Sequence, residues 1–502
     1  MKSLKFLQEN AVLLICIGIF VIFSLSILFF TEAFYDLLVR FSLFIRSWFG
    51  RYYLYLGLVC VIILLLLTLL PYGRIILGKE GEKPEFSRLS WLAMLYSAGM
   101  GAGILLRAVQ EPVFMLVNPP LDTETSARVM ALEYTFYQWG FTAWAFYALF
   151  ALIIGFAVMS RNKKPLLSNI LQKQNISTPL LKGLDILVIL TTVTGVTGAI
   201  CLGTTQITGG FNYLIPEAFY ALDLNIGALV LICVLAFISA WQGLNKGIKM
   251  VSNINIALTT LLFIYVLLQG NMLSILQNFM AALYSYIIDF IPMSLAWGNF
   301  DPGEAFLKEW TYYYWAFWIA WAPFTGIFIA RISRGRSIRE FILGVLIIPS
   351  LASFIWFSGF GDTAFNLISG QGGYSGQFSD EFASLFEFFS YFPWSGTVNI
   401  LIILLLLGFL ITSADSAIYV LSMFTDNGKL HPQKKHRLIW AVLLAIGGVA
   451  LLVLSEIKPE VDIINILQLL LIITSLPFCI INSRFDPFIL KRSQGKQALA
   501  NY

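Results

Sequence analysis

The sequence predicts an all-α polytopic membrane protein of twelve transmembrane helices. Three observations predict it. The 502 residues are 58% hydrophobic and only 12% charged, where a soluble chain carries about 25% charge. Apolar runs such as 11–30 (AVLLICIGIFVIFSLSILFF) and 55–70 (YLGLVCVIILLLLTLL) are long enough to cross ~30 Å of hydrocarbon. Twelve such spans then divide the basic residues unevenly. Of the 32 Lys and Arg, 25 fall on the side of the termini, six on the other, and Arg107 within a span.

Span 1 (11–31) follows Lys2 and Lys5 with no small-residue cleavage site, so it reads as a retained helix rather than a signal peptide. Span 2 is 53–71. Span 3 (89–117) holds YSAGMGAGILLRAVQEP (96–112), where Gly99, Gly101 and Gly103 precede Arg107 and Glu111. Span 4 (129–159) carries YQWGFTAWAFYALF (137–150). Spans 5, 6 and 7 (183–213, 224–241, 252–270) are followed by 272–298, which is apolar but interrupted by Asn278, Asp289 and Pro292; it reads as an amphipathic helix along the membrane interface. Span 8 (310–332) begins WTYYYWAFWIAWAPF, span 9 is 339–359, span 10 (396–424) contains TSADSA, and spans 11 and 12 are 437–455 and 461–482. SRNKKP (160–165), ARISRGRSIRE (330–340) and HPQKKHR (431–437) mark the cytoplasmic side, which holds both termini. The net charge of +4 lies in these short loops and is not a nucleic-acid signal.

All five cysteines fall in apolar runs, without metal spacing, and both histidines, His431 and His436, share one loop. A membrane-embedded enzyme would have only Arg107, Glu111, Glu133 and Asp415 to work with. No span presents the repeated polar stripe of a channel. An enzyme is therefore not expected, and no cofactor.

The glycine run in span 3 and WAPFTG (321–326) in span 8 both read as helix breaks, five spans apart. Five is odd, so a duplicated five-helix unit would insert inverted. Interrupted helices at corresponding positions of inverted halves point to a transporter site near the bilayer midplane. Taken alone, the glycines could equally serve close helix packing. Trp139, Trp144 and Tyr147 on span 4 and Trp315, Trp318 and Trp321 on span 8 recur at helical spacing. Facing rings make a cage for a cation that cannot donate hydrogen bonds; packing and the interfacial aromatic belt are the competing explanations.

These residues resemble the betaine/carnitine/choline transporters. The stretch 321–350 (WAPFTGIFIARISRGRSIREFILGVLIIPS), SAGMGAG (97–103), Glu111–Pro112, the span 4 aromatics and TSADSA (412–417) fall in the family's order. The resemblance implies a LeuT-type fold with two additional amino-terminal spans (1–88 with the following loop), a first repeat 89–270, the interfacial segment 271–309, a second repeat 310–482 and a short tail 483–502. It implies a secondary transporter for quaternary ammonium or related zwitterionic compounds, embedded in the cytoplasmic membrane and often homotrimeric. Trp139, Trp144, Tyr147 and Trp318 would form the cage, with Tyr313, Phe317 and Trp321 lining the path below it and Met100 and Gly101 at the broken helix. Sodium would be held by Ser97 and Met100 carbonyls with Phe409, Thr412 and Ser413, and at a second place by Thr192 and Phe324. Three departures stand out. Phe317 replaces an expected tryptophan, Val196 an expected threonine, and Arg107 an expected aromatic. Arg107 would either pair with Glu111 one turn on or face the cavity and hold a substrate carboxylate. In the alternative reading, a sodium-coupled amino-acid transporter of the same fold, the aromatics would be packing.

Overall fold

A computed structural model describes residues 10–79, 81–160, 163–171, 177–215, 221–242, 247–457 and 463–482. Their regular structure is helical, apart from one isolated bridge between Ile76 and Ser337. Besides the short Leu167–Leu171 and Glu304–Phe306, the α-helices are α1 (Ala11–Phe29), α2 (Thr31–Leu69), α3 (Arg88–Met100), α4 (Gly103–Leu106), α5 (Gln110–Val117), α6 (Ala127–Trp139), α7 (Phe141–Gly155), α8 (Thr178–Leu214), α9 (Ala221–Gln242), α10 (Gly247–Gln269), α11 (Met272–Leu295), α12 (Tyr312–Ile332), α13 (Ile338–Gly370), α14 (Ser384–Ser390), α15 (Ser395–Thr425), α16 (Lys434–Ile457) and α17 (Ile463–Asn482). Lys2, Lys5 and the tail 483–502 lie outside the described residues.

Among the described residues, eleven helices are long and apolar enough to cross a membrane. The set differs from the twelve predicted spans. Span 3 is not one helix but three pieces, α3 to α5, and span 12 contributes a shorter apolar stretch, Ile463–Leu476. Met272–Leu295 qualifies by length and composition. It leaves α10 through Gly270–Asn271 but packs on α6, α13 and α2 rather than back along α10. Its buried stripe Ile275, Ala282, Tyr286, Phe290 and Met293 has helical spacing, while Leu276, Met280, Ile287 and Ile291 remain exposed. Ser274 and Asn278 donate to the buried Asp362 of α13 at 3.1 and 2.5 Å, which pins its first turns. Helix α2, at 39 residues, is about 58 Å long. The predicted loop between spans 1 and 2 is thus helical.

The two five-helix halves show up in the packing. If α3–α5, α6–α7, α8, α9 and α10 correspond in order to α12, α13, α15, α16 and α17, most of the contacts have a counterpart. Helix α9 packs on α15, and α16 on α8; α8 packs on α17, and α15 on α10; α12 packs on α17, and α3 on α10. The self-corresponding pairs α8–α15 and α9–α16 touch directly. This is the pattern of two halves related by a two-fold exchange.

One expectation is corrected. Helix α12 runs unbroken through Pro323, so the predicted interruption at 321–326 is absent. Proline removes a single bond, the one to the Ile319 carbonyl, at a cost of about 3 kcal/mol. Packing of α12 along the length of α7 holds the helix together across that gap. Only the first half has a broken helix among the described residues.

Candidate functional site

The break in span 3 has a local cause. Gly101, directly after α3, sits at φ 55°, ψ −154°, a region only glycine enters without strain. Arg107 (φ −97°, ψ 0°) ends the single turn of α4. A Cβ on Gly101 would lie 3.3 Å from Trp321 Cη2 and 3.7 Å from Ser413 Oγ, so α3, α12 and α15 meet at this point. Trp356 of α13 donates its indole N–H to the Ile104 carbonyl at 3.2 Å, which satisfies one acceptor of the short α4.

Around this break the aromatic residues converge. Trp318 stands 5.1 Å from Trp139, 5.2 Å from Phe317 and 6.0 Å from both Tyr147 and Tyr314 between ring centroids. Trp144 meets Tyr147 edge-on at 5.6 Å. The indoles are aimed by hydrogen bonds. Trp318 donates to the Gln138 carbonyl at 3.0 Å, and Trp321 to the Gly195 carbonyl at 3.2 Å. That approach needs glycine, because a Cβ on Gly195 would be 3.1 Å from Trp321 Cδ1. Trp139 donates to the fully buried Glu111 at 3.1 Å, and Tyr314 donates to the same carboxylate oxygen.

Gly103, Trp139, Phe317, Trp318, Trp321 and Ser413 are among the walls of a central cavity of about 30 Å³, room for about one water molecule. The rings interlock and leave little space between them. Of the predicted cage, Trp139 and Trp318 are on its wall. Trp144 and Tyr147 stand just behind Trp318, and among the described residues neither the Trp144 indole N–H nor the Tyr147 hydroxyl has a partner. Phe317 and Trp321 line the cavity, but Tyr313 does not lie below the cage. It faces a separate cavity of about 510 Å³ with Trp310, Tyr314, Glu309, Glu381 and Arg107. Five residues before Trp318, it is about 7 Å further along α12 in the opposite direction.

Arg107 also departs from expectation. It makes no ion pair with Glu111. Its guanidinium pairs with Glu381 at 3.2 Å, donates to Gln110 at 2.6 Å and lies 5.5 Å from the Trp310 ring centroid. The one-turn spacing to Glu111 presumes an unbroken helix, and the chain turns at 107–109. That turn leaves Glu111 facing Trp139 and Tyr314 instead. Nothing in the sequence pointed to Glu381, which lies in the segment before α14. Arg107 and Glu381 side chains are 8% and 28% exposed, so a double-mutant cycle of Arg107→Gln and Glu381→Gln, read by thermal unfolding, is expected to give a coupling of about 1–3 kcal/mol. Additive single effects would show that the pair is incidental.

At the predicted ion positions, Thr412 donates its hydroxyl to the Gly408 and Phe409 carbonyls, both at 3.0 Å. This bonding within the helix leaves its oxygen lone pairs free to ligate. Ser413 lies beside Gly101, its Oγ 3.7 Å from where a Cβ on that glycine would stand, and lines the cavity. Thr192 is fully buried, its hydroxyl without a partner among the described residues, and Phe324 packs 5.0 Å from Trp321. Val196 lines the central cavity. The side chains of Ser97 and Met100 lie outside the described residues. Asp415 accepts from Ser239 of α9, a tie between helices.

Two interlocked five-helix halves, with a broken helix and a ring of aromatics about one central cavity, define a membrane transporter. A profile of the betaine/carnitine/choline family transporters matches residues 11–485. The chain belongs to that family. It is 41% identical to the glycine betaine transporter OpuD of Bacillus subtilis (strain 168), over 82% of each chain. It is 35% identical to the ectoine/hydroxyectoine transporter of Virgibacillus pantothenticus, over 86% of each. The solved structure of MhsT in complex with L-phenylalanine aligns with a TM-score of 0.46 at 14% identity, covering 80% of this chain and 88% of that one.

Proposed function

We propose that this protein is a secondary transporter that carries a trimethylammonium or related zwitterion through the central cavity by alternating access. The observation that carries this is the convergence of the Gly101 break with Trp139, Phe317, Trp318 and Trp321 at one place. Ring faces attract a cation that has no N–H to donate. The relatives named for glycine betaine and for ectoine support the same substrate class. The closed cavity is an occluded form, and the larger Arg107 cavity is the external vestibule. The amino-acid reading placed Arg107 on a carboxylate at the centre, whereas Arg107 is committed to Glu381 outside the central cavity. In our reading the protein works as a homotrimer in the cytoplasmic membrane, with both termini inside. Proteoliposome uptake of labelled glycine betaine, challenged with choline, carnitine, ectoine and an ordinary amino acid, tests the substrate class. Competition by the amino acid alone would overturn it.

Coupling rests on the Ser413–Gly101 face with Thr412 beside it. Uptake is expected to need external sodium and to collapse in the Thr412→Ala, Ser413→Ala double variant. Valine cannot ligate, so with Val196 at the second position the flux ratio should not exceed one sodium per substrate. Equal uptake in sodium and potassium buffers would instead indicate an exchanger.

A further inference from the structure

One side chain in the central cavity has no explanation in the packing. Gln206 is fully buried, lines the cavity, and among the described residues has a hydrogen-bond partner for neither its amide nitrogen nor its amide oxygen. Its neighbours on α8 behave differently. Thr204 and Thr205 both donate to the Cys201 carbonyl, at 2.8 and 3.0 Å, and Thr208 donates to the Thr204 carbonyl and to Asn225. Val196, Ile200, Gly203 and Gln206 recur at helical spacing and form the α8 wall of the cavity. Apart from Ser413, every other described side chain on the cavity wall is apolar or aromatic, including Leu106, Leu202 and Leu410. A buried amide left unpaired is destabilising, and an apolar residue of the same shape would avoid that. The amide is therefore held ready for something that enters the cavity.

We infer that Gln206 is the specificity residue that binds the carboxylate of a substrate whose cationic end rests on the Trp139 and Trp318 rings. This rests on the proposed reading of the central cavity as the substrate site and extends it to the anionic end. The two amide hydrogens donate to carboxylate oxygens, and hydrogen bonds to a charged acceptor are about twice as strong as neutral ones. Choline offers only a hydroxyl, so it gains less. Arg107, tied to Glu381 in the other cavity, is not available for this task.

The test is ligand binding to the purified full-length protein, followed by tryptophan fluorescence, with glycine betaine and choline as probes. The variants are Gln206→Leu, Gln206→Glu and Trp318→Ala. Gln206→Leu is expected to weaken glycine betaine about 10- to 100-fold, to change choline less than threefold, and to leave the ligand-free melting temperature unchanged or raised. Gln206→Glu repels the carboxylate and attracts the cation, so it should weaken glycine betaine further and tighten choline. Trp318→Ala should weaken both ligands. If Gln206→Leu and Gln206→Glu bind glycine betaine as the wild type does while Trp318→Ala does not, the inference fails and the cavity reading stands. If Trp318→Ala binds both ligands normally, the cavity reading fails and takes the inference with it. Should Gln206→Leu not fold, the near-isosteric Gln206→Glu decides alone through the choline-to-betaine ratio.

Discussion

Trp318→Ala is expected to lower glycine betaine affinity by about 30-fold or more and to abolish uptake at micromolar substrate. A desolvated cation–π contact contributes ~2 kcal/mol, which corresponds to about 30-fold. Trp318 is also the ring that the others share, touching Trp139, Tyr147, Tyr314 and Phe317. Its removal takes away the donor to the Gln138 carbonyl as well, and loss of a buried tryptophan costs about 3–5 kcal/mol of stability. The loss of transport must therefore be separated from loss of fold. Trp318→Phe does this, because it keeps a ring face in place while losing only the indole N–H and some volume. Partial uptake in Trp318→Phe, with none in a Trp318→Ala protein still present in the membrane, supports a cage. Unchanged affinity in Trp318→Ala would mean that the aromatics are packing and that the substrate binds elsewhere.

Gly101→Ala should be nearly as severe, for a different reason. The backbone at φ 55°, ψ −154° strains any side chain by about 1–3 kcal/mol. The new Cβ would also press on Trp321 at 3.3 Å. Trp321 has little room to yield, because its indole is tied to the Gly195 carbonyl. The broken helix must then shift, and with it the face opposite Ser413. Uptake is expected to fall at least tenfold and its sodium dependence to weaken, measured as initial rates across a sodium titration. Wild-type rates with an unchanged sodium midpoint would show that this break is not part of the transport site.

Much of this molecule is legible in one dimension. Hydrophobic runs of membrane length report spans because a bilayer leaves the backbone no partner but itself. The odd spacing between the two halves predicted an inverted repeat, and the exchanged helix contacts fit a two-fold relation between the halves. Gly101 was legible too, since a glycine-rich stretch inside a span has few explanations. Pro323 was misleading. A proline's local cost is fixed by its chemistry, but whether the helix breaks depends on what packs across the gap.

What the sequence determined by itself was the class of protein, most of the spans and the concentration of aromatic residues in spans 4 and 8. Each of these follows from local periodicity, composition or a long motif. The tertiary structure alone decided the partnerships. It paired Arg107 with Glu381, some 270 positions away in the chain, turned Glu111 towards Trp139 and Tyr314, moved Tyr313 to the outer cavity and left Gln206 unpartnered at the inner one. Helical spacing shows which residues share a face only while the helix continues. Once α4 ends at Arg107, the direction of every following side chain is set by neighbours distant in sequence. A buried polar group's partner is likewise a property of the assembled bundle.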